Sequence, residues 1–96
     1  DGARLIADML AAAGMTAVLG HVFEMGLAAV AEAHVAAAVP NLAGPHEIGS
    51  MRPMGSDADI IVEDLRAEPG FLRLPGGPGL GVNLDWARIS EMRAKI

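Results

Sequence analysis

The segment from Thr16 to Ala38 constrains the fold more than any other part of the chain. Thr16-Ala17-Val18-Leu19 is an apolar run without polar alternation, so it reads as a strand covered on both faces. It stops at Gly20-His21-Val22-Phe23-Glu24-Met25-Gly26. An alanine-rich helix is expected next, from Leu27 to Ala38, with Leu27, Val30, Ala31, His34, Val35 and Ala38 along one stripe. Pro40 cannot continue its hydrogen-bond ladder. A strand that ends in a loop with two glycines, an imidazole and a carboxylate, and then turns into a helix, is half of a βαβ unit. Ligands gather at the loop after the strand in such units.

The flanking segments extend this α/β pattern. Leu5, Ile6, Met9, Leu10 and Ala13 share one face of a helix over roughly Gly2 to Ala13, and Gly14 suits a left-handed cap. Gly44 to Gly49 is a candidate second strand carrying His46 and Glu47 near its end. Residues 50–56 read as an irregular loop, and Ile60-Ile61-Val62 as a short extended segment before the acidic turn Glu63-Asp64. Phe71 to Leu74 alternates weakly. Pro75 to Gly81 is too rich in Gly and Pro for regular structure. Asp85 is a good N-cap for a last helix in which Trp86, Ile89 and Met92 share a face.

Composition narrows the function classes. The net charge is −5 with no basic cluster, which argues against nucleic acid or an anionic membrane as partner. With no cysteine there is no disulfide scaffold and no zinc–thiolate site, and a cytoplasmic location is expected. His21, Glu24, Glu32 and His34 interrupt the hydrophobic stretch from Met15 to Val39, so it does not read as a membrane span. Hydrophobic residues make up 52% of 96 residues, but much of that is alanine, which buries little area. The composition fits a slice of a larger core, and the first residues already look helical, so a single segment over 1–96 with no complete domain boundary is expected.

Two polar pairs are the candidate sites. His21 and Glu24 sit in the loop after the first strand, either as solvated turn residues or as a catalytic imidazole beside an acid. His46-Glu47 ends the second. Adjacent strands lie about 5 Å apart, so His21 and Glu47 are placed to face one ligand. These four residues lack the helical spacing of a zinc site. His34, on the apolar stripe, reads as a packed, hydrogen-bonded histidine. The glycine-rich run 76–81 lacks a Lys-Ser/Thr pair and reads as a structural turn, not a phosphate loop.

Three blocks, in order, resemble the carboxyl-terminal part of the mandelate racemase and muconate lactonizing enzymes of the enolase superfamily. They are Ala11-Ala12-Ala13-Gly14-Met15 leading into Val18-Leu19-Gly20-His21; Ala33-His34-Val35-Ala36-Ala37-Ala38-Val39-Pro40-Asn41; and Leu74-Pro75 followed by Pro78-Gly79-Leu80-Gly81-Val82-Asn83-Leu84-Asp85. The last is the most specific, close to the family's "P-x-x-PGLG-V-x-LD" tail.

The resemblance implies a partial (β/α)8 barrel: the seventh and eighth strand units, with a carboxyl-terminal tail that returns to a capping domain. It implies an enzyme that removes a proton α to a carboxylate with the help of Mg²⁺, as a racemase or epimerase, a cycloisomerase or an acid-sugar dehydratase. Its partners would be a small carboxylate substrate and the remainder of the barrel and cap, with a homo-oligomer at full length. By position, His21 falls where one subgroup has its seventh-strand base, and Glu47 where the family has an eighth-strand glutamate that hydrogen-bonds the substrate carboxylate. Glu24 matches a glutamate of the muconate-type pattern. The acidic Mg²⁺ ligands and lysine bases have no counterpart here and are expected outside this chain. A fragment of this kind is expected to be inactive, and of low stability, by itself. The alternative is a non-enzymatic α/β interaction or oligomerisation module built from the same elements.

Overall fold

A computed structural model describes residues 2–22, 24–48, 59–65 and 67–94. The expected irregular loop 50–56 lies outside the described residues, as do Phe23 and Gly49. The elements are helix α1 (Gly2–Ala12), helix α2 (Gly26–Ala38), strands β1 (Ala67–Glu68) and β2 (Phe71–Leu72), and helix α3 (Trp86–Arg93). No helix among the described residues is long and apolar enough to cross a membrane.

Helix α2 is the centre of the packing. Its buried residues are Gly26, Ala29, Val30 and Ala33. This face shares only Val30 with the stripe expected from Leu27 to Ala38, because the approach of Asp59 and Ile61 to Gly26 sets which side is covered. Ala7, Val39 and Ile61 are the other buried hydrophobic residues described. Val30 and Ile61 are the largest fully buried side chains. Each such burial is worth roughly 1.5–3 kcal/mol. The small side chains of α2 let other segments come close, most of all at its first residue. The helix starts after Met25, which offers no side-chain cap. The cap comes from Asp59, whose carboxylate accepts the Gly26 N–H through both oxygens, at 2.9 and 3.1 Å. Asp59 is 4% exposed, and its Oδ1 also accepts the Ile60 N–H at 2.8 Å.

Of the two barrel strands expected at Thr16–Leu19 and Gly44–Gly49, neither the first nor the described residues 44–48 of the second form a strand here. They are reduced to a parallel bridge between Ala17 and Leu42, with Ala43 N–H donating to Ala17 O at 2.8 Å and Glu47 N–H to Leu19 O at 2.9 Å. Pro45 explains the gap. A regular parallel ladder would place a donor midway between Ala43 and Glu47, and proline has no N–H to give. The pairing resumes only at Glu47. The Leu19 N–H is meanwhile satisfied by the ring of His46, whose Nδ1 accepts it at 3.3 Å. The sheet that does form among the described residues is the antiparallel β1–β2 hairpin, with Ala67 opposite Leu72 and Glu68 opposite Phe71. The order of a bridged segment, a helix and a second, parallel bridged segment keeps the βαβ outline without its sheet.

The other local expectations held where short-range chemistry sets them. Gly14 adopts φ 70° directly after α1. Asp85 caps α3, its Oδ1 accepting the Arg88 N–H at 2.9 Å. The extended segment at Ile60–Val62 pairs antiparallel with the tail: Ile61 bridges Leu84, Val62 N–H donates to Asn83 O at 2.9 Å, and Asp85 N–H donates to Ile60 O at 2.8 Å. The turn at Pro78–Gly81 is structural. Gly81 sits at φ +79°, and a β-carbon there would lie 2.7 Å from Pro75 Cβ and 2.9 Å from Pro75 O. His34 Nε2 lies 3.1 Å from Leu80 O, which ties α2 to this turn. The apolar face of α1 differs from a core face: Leu5, Ile6 and Met9 are about 60% exposed, and Ala7 is the residue it buries. Trp86 is likewise exposed, while Ile89 and Met92 are partly covered.

Candidate functional site

After the bridge at Ala17 the chain runs through Leu19 and Gly20 and turns into α2. The turn folds Glu24 back on the residues before it, so that its Oε2 accepts the Val22 N–H at 2.7 Å. The same oxygen lies 2.7 Å from Nδ1 of His21. The contact is an ion pair whenever the ring is protonated. Both side chains are partly covered, at 20% and 27% exposure. The Val22 N–H chiefly, aided by the adjacent imidazole, holds the Glu24 carboxyl below the usual carboxylate range.

Glu32 joins this pair from the helix. One ligand atom from each of His21, Glu24 and Glu32 lies within 4.8 Å of the other two. Burial first, and then the negative charge of Glu24, push the Glu32 carboxyl up, while His21 acts in the opposite direction. The two carboxyls are therefore driven apart: Glu24 toward the anion, Glu32 toward the acid. Environments that separate two carboxyls in this way prepare them for different roles in proton handling.

Glu47 stands on the neighbouring segment. It is exposed, its backbone is bonded to Leu19, and a β-carbon built on Gly20 would lie 3.8 Å from its Oε2. Its carboxylate thus flanks the residue before His21. His46 is turned inward to Leu19 and lines a separate, mostly apolar cleft of about 520 Å³ between α2 and the hairpin, with Ala33, Pro45, Phe71 and Leu72. Of the two polar pairs in the sequence, the fold brings His21 and Glu24 together, sets Glu47 next to Gly20, and turns His46 to Leu19. Glu32 was missed because it lies within an alanine-rich helix and its facing depends on how the preceding loop folds. Its one sequence signal is that it is the lone carboxylate between Gly26 and Pro40.

The donor set can be tested against Mg²⁺. That ion demands oxygen ligands in near-ideal octahedral geometry. The described cluster offers one imidazole nitrogen and two carboxyl oxygens, too few oxygen ligands and one nitrogen too many for that ion. These residues do not fit Mg²⁺.

Muconate cycloisomerase 1-2 from Acinetobacter lwoffii is 33% identical over 93 residues, covering 97% of this chain. The chain spans 24% of the length of that relative. No solved structure shows a significant match. The family described as enolase C-terminal domain-like matches residues 1–88. An ordered match over nearly the whole chain, from the first helix through the capped start of the last, shows that this chain belongs to the enolase C-terminal domain-like family and is a carboxyl-terminal fragment of a mandelate racemase/muconate lactonizing-type enzyme.

Proposed function

We propose that the chain supplies part of the catalytic rim of an enzyme that abstracts a proton from the carbon α to a carboxylate. The observation that carries this reading is the 2.7 Å contact between His21 Nδ1 and Glu24 Oε2, with Glu47 flanking Gly20. A carboxylate at Nδ1 favours the tautomer with its proton on that nitrogen, which leaves Nε2 to take the substrate proton. Glu24, biased toward the anion, orients the ring and stabilises the imidazolium that forms. Glu47, on the next segment of the rim, hydrogen-bonds the substrate carboxylate as charge develops on it.

The likeness to a muconate cycloisomerase favours cycloisomerase chemistry over the racemase, epimerase and acid-sugar dehydratase readings of the same site. The residues from Ala17 to Glu47 form the seventh and eighth strand units of a barrel, and the tail from Ile60 onward leads back toward a cap. In that setting the bridged segments gain the neighbours that a full ladder needs. The substrate is a small carboxylate, the partners are the remaining barrel and cap, and the full-length enzyme is a homo-oligomer. Mg²⁺ is held by residues outside this chain, and the isolated chain is inactive.

The test is solvent deuterium exchange at the α-carbon of the substrate, in the full-length enzyme. His21→Asn should abolish exchange for one substrate configuration, and Glu24→Gln should reduce it by roughly 10²-fold or more. Exchange at the unaltered rate in His21→Asn overturns the assignment of the base.

A further inference from the structure

We infer that His21, Glu24 and Glu32 form a binding site for a first-row transition-metal dication, separate from any Mg²⁺ site of the enzyme. Three donors of two kinds converge from two elements, with their ligand atoms within 4.8 Å of one another. The cluster also holds a polar atom that needs a partner: Oε2 of Glu32 is fully enclosed by protein and accepts no hydrogen bond. A buried carboxylate oxygen left this way is costly. A dication placed between it and Glu24 satisfies it and relieves the repulsion between the two carboxylates.

The geometry selects the ion. His21 Nδ1 and Glu24 Oε2 are 2.7 Å apart. At metal–ligand distances of about 2.1 Å that separation subtends roughly 80° at the ion, near the right angle of six-coordination and far from tetrahedral. One imidazole and two carboxylates on one side of a six-coordinate ion leave the opposite side to water. That set suits the Mn²⁺ to Ni²⁺ range, and nitrogen ligation raises affinity toward the Ni²⁺ end. Mg²⁺, which prefers oxygen, competes poorly. Binding through Nδ1 requires that nitrogen to be free of its proton, so a neutral His21 ring shifts its proton to Nε2. The tautomer it leaves carries its proton on Nε2, which blocks the proposed base. Loading this site and using His21 as a base are mutually exclusive, although the site does not depend on that role.

The test is titration of the 96-residue chain with Ni²⁺ by calorimetry at neutral pH, with the three histidine rings followed by ¹H–¹⁵N correlation spectra. One equivalent is expected to bind, and the His21 ring signals should broaden before those of His34 and His46. Glu32→Gln and His21→Asn should each weaken binding at least tenfold at unchanged helical circular dichroism, and a hundredfold excess of Mg²⁺ should not displace Ni²⁺. The ring-signal order reads the site without any variant, so a destabilised mutant does not blunt the test. No binding at millimolar Ni²⁺, first broadening at His34 or His46, affinity unchanged in both variants, or displacement by Mg²⁺ each overturns the inference. Because none of these readouts is enzymatic, failure here leaves the base assignment standing, and failure of deuterium exchange leaves this site standing.

Discussion

Asp59 holds the first residue of α2, Gly26, through both carboxylate oxygens from 33 residues further along the chain. The helix that follows the candidate site is thus finished by a side chain from a different segment. The same contact fixes the identity of residue 26. A β-carbon there would lie 2.5 Å from Ile61 Cδ1 and 2.7 Å from Asp59 Oδ2.

Gly26→Ala should therefore destabilise the fold by about 2–4 kcal/mol, since the backbone N–H, the carboxylate and Ile61 cannot all keep their places. Urea unfolding followed by helical circular dichroism measures this. A cost below that of an ordinary exposed glycine replacement would show that α2 can shift away from Asp59.

Asp59→Ala removes the acceptor of two N–H groups and should cost about 1–3 kcal/mol. Asp59→Asn, which keeps one acceptor oxygen, should cost less. Amide hydrogen exchange at Gly26 is the local readout: it should accelerate sharply in the alanine variant and modestly in the asparagine variant.

The acid–base behaviour of Glu32 has a defined sign. Burial and the charge of Glu24 raise its folded-state pKa above 4.5. The folded state then holds this proton more tightly than the unfolded state. The favourable contribution is fully present below the unfolded value and is lost as pH rises through the folded one. Without a bound cation, Glu32→Gln should raise stability at neutral pH, and the gain should shrink toward pH 4. Thermal melts of both proteins across that range decide it.

Glu63 has the opposite sign. Its carboxylate accepts the Asn83 backbone N–H and the Asn83 side-chain amide, each at 2.8 Å, and the backbone bond chiefly holds its pKa below 4.5. This contribution is present above the unfolded value and is lost as pH falls through the folded one. The Asn83 side-chain amide signals should move on acidification below that value, and Glu63→Gln should remove the movement.

The sequence made the helices legible because their limits are local. Pro40 stops α2, Asp85 starts α3 through an acceptor three residues from its donor, and His34, partly covered, has the hydrogen-bond partner expected of it in Leu80 O. The pairing of His21 with Glu24 was legible for the same reason, both lying in one turn. The strands were legible as extended, paired segments but not as the bridges they became. A ladder depends on donors in another segment, and Pro45 withholds one. Asp59 and Glu32 were not legible at all. Each acts through a facing that only tertiary packing determines, one across 33 residues and one from inside an alanine-rich helix.

The antiparallel bridge between Ile61 and Leu84 closes the chain into a ring at its base, and the hairpin tip at Pro69-Gly70 lies on that ring, exposed to solvent. Because the base is already pinned, lengthening the tip adds only to a loop that is closed anyway, and doubling such a loop costs about 0.6 kcal/mol. The tip is therefore where this chain can accept inserted sequence, an epitope tag or a short reporter peptide, without disturbing the Asp59 cap or the His21 rim.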